Sequence, residues 1–472
     1  MIGVRIVSLD FVRALPQPHR ESAPTEIVPI HAHKGVTVKL SRRTAVAALA
    51  GTASLALVLT GCSSDGDTGS GDEKITLTIT TFGTMGLDGL YAQYEDDHPN
   101  ITIKATNIDT GGNALTDWKT KQASGGLPDI QAVEEGWLGS VMEVSDTFTD
   151  LRDYGADDIK DRWVDWKVGQ ATDSEGRIIG YGTDIGPQGL CYNGKLFEAA
   201  GLPSDREAVA ELFGGDNATW DTFFEVGKQY HAATGKAFYD QSGFVWNSFV
   251  NQQAEGYYKK DGSLNIEDNS TLKNFWMQLA DAQQAGLSAN QAQWDWGKGK
   301  AFVDGTFSVF VCPGWMLGVV KGQVEAGGGD ATSGWDFADV FPGGASNWGG
   351  SFLTVPTTSK HPKEAAELAA WLTDAQQEVA AFQAAGAFPS VIAAQSDPGV
   401  TGPSDLTKFF NDAPVGEILA SRAEGVVAQF KGPDDALIQE QVVGPARTAL
   451  DAGEDGATTW NTLIDTLHQL VG

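Results

Sequence analysis

Basic residues, cysteine and histidine are all scarce in this chain of 472 residues. Lysine and arginine together number 32 against 62 aspartates and glutamates, so the formal net charge is −30 at pH 7. An acidic surface of this size disfavours binding of nucleic acid, or of an anionic membrane, by the polypeptide itself, and we expect neither partner. Three cysteines in so long a chain exclude a disulfide-rich scaffold.

Common catalytic and metal-binding motifs are also missing from the sequence. The histidines after residue 61 are far apart, at His98, His231, His361 and His468, and no H-E-x-x-H motif occurs. We therefore predict neither a metal site nor a cofactor. G-x-S-x-G and Walker A motifs, the usual parts for acyl transfer and nucleotide hydrolysis, do not occur either. Carboxylates are abundant, however, and a glycosidase needs only two of them, so a secreted glycoside hydrolase is the alternative from another functional class.

The N-terminal region has the pattern of a signal peptide, which we assign to residues 1–61. A basic stretch ending in Arg42-Arg43 precedes residues 44–60, which carry no charge and are too short to span a membrane comfortably. Leu59-Thr60-Gly61-Cys62 resembles a lipobox, so we predict that Cys62 carries a lipid anchor. Residues 62–74 have no apolar side chain that could join a core and are expected to form a flexible tether. The mature protein would then lie on the extracytoplasmic face of the cell membrane, held only by its lipid.

Two features of this region leave alternatives open. Ser41-Arg42-Arg43 resembles a twin-arginine export signal, but the residues that follow lack the usual pattern, so both the general and the twin-arginine export routes remain possible. Some forty residues precede the apolar stretch, whereas basic segments of signal peptides are short. We therefore expect residues upstream of about Val36 not to belong to the natural protein.

Hydrophobic residues make up 41% of the chain, and after residue 74 they follow periodic patterns. Ile75, Leu77 and Ile79 alternate with threonines, which predicts a strand. A helical stripe over residues 87–94 and a second alternating strand from Ile101 complete a βαβ unit. Such units build doubly wound α/β lobes, which bind ligands at the carboxyl ends of their strands. The carboxyl end of the next predicted strand, at residues 130–133, is therefore a candidate binding edge.

A second lobe is predicted to begin near residue 171, in keeping with a length that suggests at least two domains. Residues 178–181 and 189–192 are predicted to be strands. Gly201 and Gly235 occupy positions typical of helix C-caps, and Pro362 begins a later helical stripe.

Four segments of the chain together resemble one known family. They are Gly126-Leu127-Pro128-Asp129-Ile130; Tyr192 to Pro203 (YNGKLFEAAGLP) followed by Thr219-Trp220; Gly299-Lys300-Ala301-Phe302 through Pro313-Gly314-Trp315; and Ser359 to Ala365 (SKHPKEA) through Pro389-Ser390. In this order they resemble family 1 extracellular solute-binding proteins, the maltose-binding-protein-like group. The resemblance implies two doubly wound α/β lobes joined by a hinge (periplasmic-binding-protein-like, type II). It also implies lobe boundaries of 75–170 plus 346–385, and 171–345 plus 386–472.

The function implied by the resemblance is that of an extracytoplasmic solute-binding lipoprotein of an ABC importer, not an enzyme. Such a protein would capture a small carbohydrate by hinge closure and deliver it to the permease subunits, and we expect it to be a monomer. The segment Asn347 to Phe352 (NWGGSF) resembles a branch that includes cellobiose and cello-oligosaccharide binders. Peptide and polyol ligands are alternatives of the same class.

Aromatic residues are the first group of predicted ligand contacts, because flat rings stack on the apolar faces of sugars. Trp315 aligns with a stacking tryptophan of the family. Trp348 lies in a glycine-rich return segment, where a ligand role and core packing are equally plausible. Trp246, Trp294 and Trp296 are further candidates that could equally be packing residues, and Tyr192 is included from the second family segment.

Polar residues form the second predicted group. Glu134 and Glu135 follow the strand at residues 130–133, where the resemblance places cleft acids, and the sequence does not distinguish which of them contacts ligand. Asp184 and Gln188 flank Gly186-Pro187 on a second predicted lip of the cleft. Lysine and arginine are scarce in all these segments, which favours a neutral ligand over an anionic one.

Cys191 and Cys312 are predicted to form a disulfide. They are the cysteines left once Cys62 is lipidated, the compartment is oxidising, and the family's fold places both on strands of the second lobe. Two buried, reduced cysteines acting as small hydrophobic residues are the alternative.

Overall fold

The computed structural model describes residues 74–472. The predicted signal segment, Cys62 and all of the tether except Lys74 lie outside the described residues.

Five strands form the larger sheet, on which the first lobe is built. They are β1 (Ile75–Phe82), β2 (Ile101–Ile108), β3 (Ile130–Glu134), β4 (Gly180–Gly182) and β8 (Ser351–Thr354). Their order is β2-β1-β3-β8-β4. The first three strands are parallel, and β8 runs antiparallel to both β3 and β4. The predicted βαβ unit is therefore present, with the helix Tyr91–Asp97 between its strands.

Alternation along the strands gives this sheet two apolar faces. Leu77, Ile79 and Ala132 are buried in one core, together with the helix Pro362–Leu372. Val133, the next residue along β3, is buried in a separate core on the other side. A lobe with a helical layer on each face of its sheet results, as expected for a doubly wound lobe.

The second lobe is built on β5 (Gln188–Asn193), β6 (Val309–Pro313) and β7 (Trp335–Ala338), in the order β6-β5-β7 with antiparallel pairing. Parallel pairing enters at single positions, where Tyr239 bridges Ser288 and Val309. Cys191 on β5 and Cys312 on β6 are joined by a disulfide, with their Cα atoms 5.7 Å apart. Both cysteines are fully buried in the large aromatic-rich core of this lobe.

Helices cover both sheets. Those of six or more residues in the first part of the described chain are Tyr91–Asp97, Gly111–Ser124, Asp165–Gln170, Gly194–Ala199, Arg206–Phe213, Trp220–Thr234, Ser242–Val250 and Ser270–Gln284. Those that follow are Gly314–Ala326, Pro362–Leu372, Ala375–Ala385, Val415–Glu424, Gly444–Asp451 and Gly456–Leu470, with a π-helix at Ile438–Val443. Gly235 caps the helix Trp220–Thr234 with a left-handed φ of 68°, and Pro362 is a first-turn residue, both as predicted.

The chain crosses three times between the two lobes. The first crossing, residues 183–187, joins β4 to β5, and the second, residues 346–350, leads into β8. The third lies within residues 381–400, where the chain contacts both cores: Ala381, Val391 and Ala394 are buried in the first lobe's core, and Phe382, Phe388 and Val400 in the second's. The first crossing comes after the boundary predicted at 170/171, because β4 pairs with β8 in the larger sheet. The boundary predicted at 385/386 lies within the stretch that contacts both cores.

Candidate functional site

A cleft of about 450 Å³, counting its solvent-open part, lies between the two lobes at the carboxyl end of β3. This is the sheet edge at which parallel α/β lobes bind their ligands. The cleft is lined by Glu134, Glu135, Gly136, Asn247, Val250, Asn251, Tyr257, Trp348, Gly349, Gln429, Lys431, Asp435 and Gln439. Four parts of the chain thus meet there: the end of β3, the helix Ser242–Val250 with the residues that follow it to Tyr257, the second crossing, and the C-terminal region.

The two adjacent glutamates that end β3 have different surroundings. Glu135 is buried, and its carboxylate accepts hydrogen bonds from the Gln170 side chain (3.2 Å) and from the Gly349 backbone N–H (3.3 Å). It also lies 3.4 Å from the Lys431 ammonium. Glu135 is therefore already committed to protein partners, and it links the first lobe to both the second crossing and the C-terminal region.

Glu134 faces the cleft without such partners: among residues 74–472, no hydrogen bond reaches its carboxylate. An added Cβ at Gly111 would lie only 1.8 Å from Oε2 of Glu134, so a side chain at this position would displace the carboxylate from where it lies here. Burial raises the pKa of Glu134 to about 7, and repulsion from Glu135 and Asp184 adds to the effect. The carboxylate is consequently a free acceptor whose charge depends on pH near neutrality.

Lys431 is the one cationic residue among those that line this cleft. Its ammonium donates to Oδ1 of Asn251 (3.0 Å) and to the side chain of Gln429, besides approaching Glu135. Burial raises the pKa of the nearby Asp435 to about 6, although Lys431 counters part of this rise. With Glu134, Glu135 and Asp435 facing one ammonium, the lining stays acidic and offers no free cation to an anionic ligand.

The helix Ser242–Val250 supplies the facing wall. Asn247 lies on it, and Asn251 follows directly at its C-cap, one turn further on the same face. Oδ1 of Asn247 is buried and has no hydrogen-bond partner among the described residues. Buried amides normally have such partners, so an unpaired acceptor in the cleft wall points to a donor supplied from outside the chain.

Trp348 is one of two aromatic residues that line the cleft, the other being Tyr257. Its indole is held edge-to-face by Trp315, at a centroid distance of 5.8 Å and an angle of 88°. Nε1 of Trp315 also donates to the backbone oxygen of Trp348 (2.7 Å). Trp315 therefore acts as a support for Trp348, and Trp348 rather than Trp315 lines the cleft.

The comparisons with known proteins agree with this geometry. The family model of bacterial extracellular solute-binding proteins matches residues 89–408, well over half of the chain. The chain belongs to this family. A crystal structure of a family 1 extracellular solute-binding protein is 41% identical, with a TM-score of 0.77, over 84% of this chain and 100% of that one. The predicted family and the two-lobed fold class are confirmed.

Two further relatives of this solute-binding protein carry names that describe their ligands. The lactose-binding protein of Rhizobium radiobacter is 27% identical over 333 residues, which are 66% of this chain and 74% of that protein. The structure of the galacto-N-biose/lacto-N-biose I-binding protein of an ABC transporter from Bifidobacterium longum, in complex with lacto-N-biose, has a TM-score of 0.66 at 23% identity. It covers 84% of this chain and 97% of its own, and at this identity it shows the fold.

Four residues predicted to contact ligand are instead buried in the interior of the solute-binding protein. Trp246 donates from Nε1 to Tyr257 (2.9 Å), and Trp296 donates to Asp240 (3.1 Å). Tyr192 donates to the backbone oxygen of Ser204 (3.0 Å). The side chain of Gln188 bonds both Ser346 (2.7 Å) and Ser248 (2.8 Å). With their surfaces packed and their polar atoms paired, the structure gives no support to ligand contact by these four.

Asp184 lies in the first crossing rather than in the cleft lining. Its Oδ1 accepts hydrogen bonds from the Thr183 hydroxyl (2.6 Å) and from the backbone N–H of Ser351 (2.9 Å). It thereby ties the first crossing to β8. The structure places it in the hinge, close enough to Glu134 to raise the pKa of that carboxyl.

Several lining residues escaped the sequence analysis, namely Asn247, Asn251, Tyr257, Gln429, Lys431, Asp435 and Gln439. No periodic pattern or motif marks them, because they reach the cleft through packing of the C-terminal region on the helix Ser242–Val250. The sequence Lys431-Gly432-Pro433 is the one partial indication, because Gly-Pro favours a turn and a turn can present a charged side chain. Among residues 74–472, no group of three or more histidine, cysteine, aspartate or glutamate side chains is placed to hold a metal ion. Nor does any helix in that range combine the length and apolar character needed to cross a membrane.

Proposed function

We propose that this protein captures a neutral oligosaccharide in the cleft and delivers it to the permease of an ABC importer. The observation that carries the proposal is the pairing of an aromatic wall with unpaired hydrogen-bond acceptors. Trp348 offers an apolar ring face, while Glu134 and Asn247 offer acceptors from opposite lobes. A sugar presents the complementary surface, with apolar C–H faces and a belt of hydroxyl donors.

The relatives support a sugar as the ligand class. One is named as a lactose-binding protein. Another is the binding protein of an ABC transporter, and its structure was solved in complex with lacto-N-biose. Lactose and lacto-N-biose are neutral disaccharides, in keeping with an acidic cleft in which the one lysine is already paired with Glu135. Cellobiose or a cello-oligosaccharide stays our specific prediction from the segment 347–352.

Capture would proceed by closure of the lobes about the three crossings. Ligand bound to Asn247 and Trp348 on one side and to Glu134 on the other stabilises the closed form relative to the open one. The permease then distinguishes the closed, loaded form from the empty one. Lipid attachment at Cys62 would keep the protein at the extracytoplasmic membrane surface, and no bond of the sugar is broken.

A binding panel with analysis of the recovered sugar tests this function. Protein lacking residues 1–62 is titrated calorimetrically with cellobiose, lactose, maltose, their trisaccharides, dipeptides and polyols. We expect one-to-one binding of a saccharide at about micromolar affinity, near −8 kcal/mol, and its recovery unchanged. Binding of peptides or polyols alone would overturn the sugar assignment, and time-dependent cleavage of a saccharide would overturn the binding-protein function.

A further inference from the structure

Four large hydrophobic side chains are strongly exposed among residues 74–472, and Trp294 is the aromatic one. It is 54% exposed, and the others in the group are Ile392, Val427 and Leu470. Tryptophan is a large apolar group that folding normally covers for the most part. An indole left open on the second lobe therefore calls for a specific reason.

The position of Trp294 gives the first part of that reason. Its ring lies 6.1 Å from that of Trp315, tilted by 31°, and Trp315 in turn supports Trp348 at the cleft wall. Trp294 also packs edge-to-face on Phe244, at 5.8 Å. Phe244 contacts Trp348 as well, at 5.2 Å. The rings of Phe244, Trp294, Trp315 and Trp348, here called the aromatic ladder, are thus continuous from the cleft to the surface.

The helix Ser242–Val250 fixes the direction of the aromatic ladder. Asn251, Asn247 and Phe244 follow one another at spacings of four and three residues, so they share one helix face. The first two line the cleft. Phe244 continues the row towards the N-terminus of the helix, and Trp294 lies against it. The ladder therefore extends the cleft lining along its own axis.

The backbone around Trp294 gives independent support. Trp294, Trp296 and Lys298 all have positive φ, at 67°, 39° and 55°. Residues other than glycine, and bulky ones above all, rarely adopt this region, and it persists only where the surroundings enforce it. Here the buried indole of Trp296 anchors the loop through its hydrogen bond to Asp240. The anchor holds the neighbouring Trp294 in an exposed position at the cost of backbone strain, and strain of this kind concentrates at ligand sites.

We infer that Trp294 is the floor of an outer subsite, on which a further sugar unit of the bound ligand stacks after the cleft is filled. The inference rests on the proposed function and narrows its ligand class to oligosaccharides longer than those the cleft alone accommodates. The occupant is the same saccharide chain, continued from Trp348 past Trp315 to Trp294. The subsite requires only an apolar sugar face, so it adds affinity without reading hydroxyl configuration closely.

A chain-length series tests the inference. Calorimetric titrations compare cellobiose, cellotriose and cellotetraose, and lactose with its galactosyl-extended trisaccharide, on the wild-type protein and on Trp294→Ala. We expect the wild type to bind the longer members more tightly, and Trp294→Ala to lose about fivefold to a hundredfold in their affinity. Its disaccharide affinity should change less than about twofold, within the additivity error for separate sites. Trp294→Phe should restore part of the gain.

Val427→Ala is the matched control, because Val427 is equally exposed, at 55%, and lies outside the aromatic ladder. It should leave the whole series unchanged. The melting temperature of Trp294→Ala should fall only slightly, because the Trp294 side chain is 54% exposed. Equal losses for disaccharide and trisaccharide in Trp294→Ala, or a wild type without preference for length, would overturn the outer subsite and leave the proposed function standing. A wild type that binds no saccharide would overturn both.

Discussion

Trp348 carries the central stacking contact in our proposal, and its removal is the most direct test at the scale of single residues. Trp348→Ala should weaken saccharide binding by about 1–3 kcal/mol, taking the range for aromatic stacking on nucleobases. Calorimetric titration with the best saccharide of the panel measures this loss. Trp371→Ala is a suitable control, because Trp371 packs on the first lobe's core beside Tyr94. If the two variants bind equally well, Trp348 does not stack on the ligand.

The raised pKa of Glu134, which lines the cleft, predicts that saccharide binding depends on pH. Burial raises its pKa to about 7, so acidification protonates a carboxylate that is the stronger acceptor when charged. Affinity for a neutral saccharide should therefore fall by about threefold to tenfold between about pH 8 and about pH 5.5. Glu134→Gln should bind more weakly than wild type at pH 8 and show little change with pH. An unchanged profile in that variant would assign the pH dependence to another group.

The stability of the unliganded protein should also depend on pH because of Glu134, but in the opposite direction to the affinity. Stability should fall as the pH rises. Because the folded-state pKa of about 7 lies above the ordinary glutamate pKa of 4.5, the folded chain binds more protons than the unfolded chain between these two pH values. The stability that goes with proton uptake is fully present below about pH 4.5 and is lost as the pH rises through about 7. Thermal unfolding of Glu134→Gln without ligand should accordingly lose part of the wild type's decline in melting temperature over this range.

The disulfide belongs to the scale of elements, since it ties β5 to β6 in the second lobe's sheet. Cys191 and Cys312 are separated by 121 residues in sequence, so their link restricts a long stretch of the unfolded chain. Cys191→Ala with Cys312→Ala should lower the free energy of unfolding by about 2–4 kcal/mol in urea titrations, while saccharide affinity is retained. The same loss should appear in wild type kept under reducing agent. Two free thiols titrated in denatured, unreduced wild type would show that the bond does not form.

Elements with strong periodicity could be predicted from the sequence, and those without it could not. The alternation of Ile75, Leu77 and Ile79 with polar residues predicts β1 correctly. In a half-buried strand, every second side chain faces the core and is therefore apolar. The three residues of β4, Gly180–Gly182, carry no such alternation, and their membership of the larger sheet depends on pairing with β8. The boundary predicted at 170/171 consequently falls before β4, which pairs within the first lobe's sheet.

The cleft illustrates the same limit for site residues. Glu134 follows a recognisable strand, so its place at the sheet edge could be predicted from sequence. Trp246 and Trp296 could not be separated from Trp348 in this way, because all are tryptophans in apolar surroundings and only packing decides which ring faces solvent. Lys431 reaches Glu135 from almost 300 positions along the chain, a contact that no local pattern encodes.

At the scale of the whole molecule, the first lobe contacts residues 432–433 beside the cleft, and we expect this contact to affect closure of the lobes. The Ser140 hydroxyl of the first lobe donates to the backbone oxygen of Pro433 (2.7 Å). Gly139 approaches the same segment so closely that an added Cβ would lie 1.9 Å from the backbone oxygen of Gly432. Glycine is therefore required at position 139 for the lobes to meet as they do here.

Gly139→Ala should hinder this meeting of the lobes while leaving each lobe's core intact. We expect saccharide affinity to fall by about tenfold or more, because the ligand must then offset the overlap on closure. Small-angle scattering at saturating ligand should show a larger radius of gyration than wild type. Gly322→Ala is the control, since a Cβ at this helical position meets nothing within 4 Å. Wild-type affinity in Gly139→Ala would show that the contact between Gly139 and Gly432 plays no part in binding.

Three crossings are an odd number, and this has a practical consequence for the described chain. It starts with β1 in the first lobe and ends with the helix Gly456–Leu470 in the second, so its two ends travel with different lobes. A donor fluorophore joined before Ile75 and an acceptor joined after Gly472 would therefore report lobe movement as a change in energy transfer. The protein could serve as a reagentless optical sensor for its own solute, with no label placed near the cleft.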